Sequence, residues 1–67
     1  MMSMLSGEWI RASRADRGWH QHELAAMIGP YLGKKAINQG RVSEWENEVK
    51  PVSPLMAAIL LDLLSKE

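Results

Sequence analysis

The polar side chains that matter most for chemistry stand together in Asn38-Gln39-Gly40-Arg41-Val42-Ser43-Glu44-Trp45-Glu46-Asn47. Asn38, Gln39, Arg41, Ser43 and Glu44 offer amide, guanidinium, hydroxyl and carboxylate groups, the set that hydrogen-bonds base edges in nucleic acid. Their spacing predicts one short helix with two unlike faces. Val42 and Trp45, three apart, turn inward with Glu46 beside them, and Gln39, Arg41, Ser43 and Glu44 turn outward. Asn38 is a good N-cap, because its side-chain oxygen can take a free amide of the first turn. A helix that buries a Trp yet shows Gln, Arg and Ser near its start suits insertion into the DNA major groove. The competing reading is an ordinary solvated helix face.

Other candidates are weaker. Gln21 is expected at the N-terminus of an earlier helix, where free amides and the helix dipole favour an anion such as phosphate over plain solvation. Lys34 and Lys35 could meet phosphate or merely solubilise. Arg11, Arg14 and Arg17 recur every third residue and cluster along one side of a helix, most simply as a solvated basic face. His20 and His22 invite a metal reading. Two residues apart on a helix, their rings diverge by roughly 200°, whereas helical zinc sites use i, i+4. No metal is expected. Neither is catalysis: the chain shows no Ser/His/Asp set, glycine-rich phosphate loop or paired carboxylates in a pocket. Glu44, Glu46 and Glu48 read as solvation plus one ion pair, and Trp9, Trp19 and Trp45 as core. No cofactor is expected.

The elements that must position these groups are all helical. Residues 6–17 form the first, with Leu5, Trp9 and Ala12 recurring inward beside Ile10, and Gly18 stopping it. Residues 19–28 form the second, with Leu24, Met27 and Ile28 as its buried stripe and Ala25 and Ala26 allowing close approach. Pro30 and Gly33 make residues 30–37 a loop or broken extra turn, with Tyr31, Leu32 and Ile37 tucked inward. The helix of residues 39–47 follows. After an extended linker, Ser53 caps a last helix and Pro54 takes its first position. That helix is apolar around most of its circumference, leaving only Asp62, Ser65 and Lys66 as a polar strip. Ala57, Leu61 and Leu64 are expected to lack a partner within the chain, and a homodimer would cover them.

The 67 residues support one domain, residues 1–67, with a marginal core that a partner subunit would help. There is no Cys, so disulfides and thiolate metal sites are excluded. No apolar run spans a bilayer, and no signal peptide is evident. A cytoplasmic location is therefore expected. Net charge is zero, which counts against a nucleic-acid binder. The distribution tempers this, because residues 1–42 carry six basic groups to three acidic ones and residues 43–67 two to five. Such a dipolar molecule can lay its basic half on phosphate.

Ile10-Arg11-Ala12-Ser13-Arg14-Ala15-Asp16-Arg17-Gly18-Trp19-His20-Gln21-His22-Glu23-Leu24-Ala25 resembles the opening of the Cro/C1-type (XRE-like) helix-turn-helix repressor family, and residues 39–47 resemble its third helix. The resemblance covers about residues 8–64. It implies an all-α, lambda-repressor-like bundle of four to five helices. By position it implies phosphate contact at Gln21, base readout at Asn38, Gln39, Arg41, Ser43 and Glu44, and backbone proximity at Asn47. It also implies a structural ion pair of Arg14 with Glu46.

Three departures stand out. The turn between the second and third helices is lengthened by about seven residues, the usual glycine after the third helix is Glu48, and the usual Ser or Thr cap is His20. The implied function is a sequence-specific transcriptional regulator binding an inverted-repeat operator on double-stranded DNA as a homodimer. It is expected to repress its own operon on a phage, plasmid or other mobile element. The alternative is a protein-interaction module that uses the same fold to hold a protein partner.

Overall fold

Each helix begins where the sequence supplies a cap. The computed structural model describes residues 5–65, so Lys66 lies outside the described residues. The order is α1 (Gly7–Asp16), α2 (Gln21–Ile28), a single 3-10 turn (Gly29–Leu32), α3 (Gln39–Glu46) and α4 (Pro54–Leu64), with no strand among the described residues. Ser6 Oγ accepts the Trp9 N–H at 3.0 Å and Asn38 Oδ1 the Gly40 N–H at 2.7 Å. Ser53 Oγ accepts the Met56 N–H at 3.3 Å. His20, with extended backbone, precedes α2, and its N–H donates to Glu23 Oε1 at 2.7 Å. Helix α2 therefore opens at Gln21 with His20 in the cap position, as the resemblance implies, and Trp19 packs from outside it.

The core gathers Ile10, Leu24, Ala25, Ile28, Val42, Trp45, Val52, Ala57, Ile59, Leu60 and Leu64. Helix α3 packs on α2 and α1, and α4 lies across both of those helices. Three inward assignments do not hold. Ala12 is exposed, because α1 turns Gly7 and Ile10 inward. Met27 is exposed and Ala25 takes its place, since the side chain at Ala25 faces the core beside Leu24 and Ile28. Tyr31 is exposed, and its hydroxyl donates to Asp62 on α4.

The lengthened connection does not project away from the body. A methyl on buried Gly29 would overlap the Ala36 backbone, so the chain can fold back here only over glycine. The Ile37 N–H then donates to the Ala25 carbonyl at 3.1 Å, and Leu32 and Ile37 pack on the core. The extra residues are absorbed beside α2, and α3 starts from a pinned point.

Helix α4 corrects the expected surplus face. Ala57 and Leu64 are buried, so both serve the chain's own core, and of the three residues assigned to a dimer contact only Leu61 remains on the surface. At 100° per residue, Ile59, Leu60, Leu64 and Ala57 fall on one arc of about 160° turned toward α1 and α2. The opposite arc carries Leu55, Ala58, Leu61, Asp62 and Ser65, all exposed.

Candidate nucleic-acid interface

Helix α3 is held by its inner side. Val42, Trp45 and Glu46 are buried, while Gln39, Gly40, Arg41 and Asn47 are exposed and Ser43 and Glu44 half-buried. Because Tyr31 reaches α4 and Leu32 and Ile37 reach the core, the connecting segment is directed away from this outer side.

The buried carboxylate of Glu46 organises the inner edge. Its side chain has no solvent exposure. Arg14 grips it with two hydrogen bonds, Nε to Oε2 at 2.6 Å and Nη2 to Oε1 at 3.1 Å. Arg14 Nη1 also donates to the Trp19 carbonyl at 2.7 Å, tying the α1–α2 turn to the same group. Arg11 stands 3.6 Å from Glu46 Oε1. Burial pushes the Glu46 carboxyl up, but the hydrogen bonds from Arg14 and Gln21 and the charges of Arg14 and Arg11 outweigh it, holding the group below its ordinary value. The Glu46 hydrogen bond raises the Arg14 guanidinium in turn, against a smaller effect of burial.

A chain of amides leads outward from this carboxylate. Gln21 Nε2 donates to Glu46 Oε1 at 3.0 Å, and Gln21 Oε1 accepts from Gln39 Nε2 at 2.8 Å. Gln21, assigned to phosphate, and Gln39, assigned to bases, are thus joined. A second set forms at the other end of α3. Asn47 Nδ2 donates to the Ser43 carbonyl at 2.9 Å and to Ser43 Oγ at 3.2 Å, and Asn47 Oδ1 accepts from Arg11 Nη2 at 3.1 Å. Ser43 keeps its hydroxyl proton to offer. Arg41 and Glu44 line a groove with Lys50, Pro51 and Ser53. Lys34 and Lys35 are exposed beyond the 3-10 turn and are not drawn into either set.

Three features escaped the sequence reading. Lys50 shares the groove with Arg41, a neighbourhood set by the turn after α3. Arg11 bonds Asn47, which its spacing of three from Arg14 could have suggested, since both sit on the side facing α3. Glu48 adopts a left-handed φ of +58°, where glycine is favoured, and its carboxylate accepts the Gly7 N–H at the start of α1. The histidines also differ from expectation. His20 lies outside the helix, so its ring stacks on that of His22 with centroids 5.5 Å apart and does not diverge from it. Among the described residues, no group of three or more His, Cys, Asp or Glu could hold a metal, and no helix is long and apolar enough to cross a membrane.

A family model described as helix-turn-helix matches residues 10–67. No curated protein and no solved structure matches the chain.

Proposed function

Because the chain belongs to the Cro/C1-type helix-turn-helix family of DNA-binding regulators, we propose that it represses transcription by docking α3 of each protomer of a homodimer into successive major grooves. The observation that carries this reading is the amide of Gln39, exposed at the start of α3 and braced from behind by Gln21. Gln39 pairs with adenine N6 and N7, Arg41 with guanine O6 and N7, and Ser43 and Glu44 reach neighbouring edges. Asn38 sits at the groove edge. Lys34, Lys35, Gln21 and Asn47 approach phosphates, while Arg11 and Arg14 of α1 are engaged with Asn47 and Glu46. Glu48, the acidic group that stands where the family has a glycine after the third helix, is occupied at the Gly7 N–H.

The second protomer joins through the outer arc of α4. Leu55 and Leu61 are 61% and 38% exposed there, and burying a fully exposed leucine contributes about 1.5–3 kcal/mol, so covering these two contributes a part of that each. Two copies related by a twofold axis would read inverted half-sites about 10 bp apart. The dimer regulates its own operon, through its concentration, in the cytoplasm.

The direct test is a mobility shift on the DNA upstream of the protein's own gene at two salt concentrations. The expected result is a shift at low salt that weakens steeply at high salt and is lost in Arg41→Ala. No shift at low salt would leave the protein-partner reading, which the exposed Leu55 and Leu61 also favour. Sedimentation of wild type against Leu61→Glu checks the dimer, with the variant expected to run as a monomer. Leu64→Glu would be uninformative, since Leu64 is buried within the chain.

A further inference from the structure

Resting on the DNA-reading role of α3, we propose that Glu46 is a positioning residue that sets which base Gln39 selects, favouring adenine over guanine. A primary amide can present either its oxygen or its NH2 group to a neighbour, so a Gln–Gln pair alone has no fixed direction. The chain from Glu46 to Gln21 to Gln39 has one. An ionised carboxylate only accepts hydrogen bonds, and Glu46 is buried, bound by Arg14 and held below its ordinary pKa. Gln21 must therefore turn its NH2 toward Glu46, which leaves its oxygen facing Gln39. Gln39 must then give one N–H to Gln21.

What remains outward on Gln39 is one N–H and the carbonyl oxygen. Adenine offers an acceptor at N7 and a donor at N6, which match that pair. Guanine offers two acceptors, N7 and O6, and would set the Gln39 oxygen against O6. With the chain reversed, Gln39 would accept from Gln21 and show both its N–H groups, the pattern that suits guanine. A buried charge on the inner face of α3 thus fixes a base preference on its outer face without touching DNA.

Binding-site selection from a randomised duplex pool, using the full chain, tests this. The position read by Gln39 is the one whose preference Gln39→Ala erases. Wild type is expected to prefer adenine over guanine there by about tenfold or more. Glu46→Gln, whose amide can accept or donate, should bring that ratio toward one. Because Glu46→Gln also weakens the Arg14 pair, Gln21→Ala is the second variant. It leaves the Arg14 pair in place and frees the Gln39 amide to turn, so the adenine-to-guanine ratio should fall likewise. Preferences at positions read by other residues should persist in both variants. In a Gln39→Ala background, Glu46→Gln should leave base preference unchanged. A merely structural Glu46 would lower affinity for all sequences equally and leave the ratio intact. An unchanged ratio in Gln21→Ala, or a wild-type preference for guanine, overturns the directional chain while DNA reading stands. A pool in which wild type enriches no site overturns both.

Discussion

The two ends of α3 are built on opposite plans. At its C-terminal end everything is close and committed. A methyl on Gly7 would overlap the carbonyl oxygens of Trp45 and Glu46, so α1 crosses α3 at a distance only glycine permits. Trp45 and Glu46 are buried there, Arg14 binds Glu46 twice, and Glu48 reaches back to the α1 start. At its N-terminal end nothing is close-packed. Gly40 is exposed, the cap is one Asn38 side chain, and Gln39 touches only Gln21 among the contacts described above. The difference teaches how a small domain can present a readable edge. It anchors the helix by the far end and leaves the near end hydrogen-bonded but uncovered.

The sharpest way to break the contrast is Arg14→Met. It leaves the fully buried Glu46 carboxylate only the Gln21 amide and the more distant Arg11, and should cost about 3 kcal/mol in urea unfolding. A chain of this size has about 3–10 kcal/mol to lose, so the variant should lose a large share of its stability and unfold at a much lower urea concentration. The same pair predicts an acid limb. The folded pKa of Glu46 lies below its unfolded value near 4.5. Its contribution is therefore complete above that value and is lost as pH falls through the lower folded one. Acid titration of Glu46→Gln should show a flatter limb than wild type.

Gly7→Ala comes next. Forcing α1 from α3 should cost about 1–3 kcal/mol, read from a thermal midpoint. Glu48 separates strain from attraction. Glu48→Ala keeps the left-handed backbone and loses the Gly7 contact, and should cost about 1 kcal/mol. Glu48→Gly loses the same contact but relieves about 1 kcal/mol of backbone strain, and should unfold near wild type. The smallest effect belongs to the exposed end. Asn38→Ala should cost about 0.5–1 kcal/mol by chemical denaturation, with hydrogen exchange faster at Gly40 and unaltered at Trp45. Equal exchange at both ends would erase the distinction.

Much of this architecture was legible in the chain. Asn38 and Ser53 cap the helices they were expected to cap, and Ser6, expected as the first residue of its helix, caps it. Val42 and Trp45 are inward as their spacing requires. Periodicity failed where a helix had two defensible faces. Nothing in the order of residues says whether α4 rests on Leu61 or on Ala57 and Leu64, because rotating an almost wholly apolar helix changes its polarity little. Nor could sequence separate Ala12 from Gly7 as the inner residue of α1, since a glycine carries no hydropathy signal for a close crossing.

By itself, then, the sequence determined the helices, their caps, the inner side of α3 and the residue types offered outward, because these depend on neighbours within a turn or two. The tertiary structure alone decided that residues 30–37 fold back and leave α3 uncovered, that Glu48 serves α1, and that Gln21 and Gln39 meet. These depend on groups many positions apart. Such contacts are fixed by how helices cross, and local spacing carries no record of a crossing.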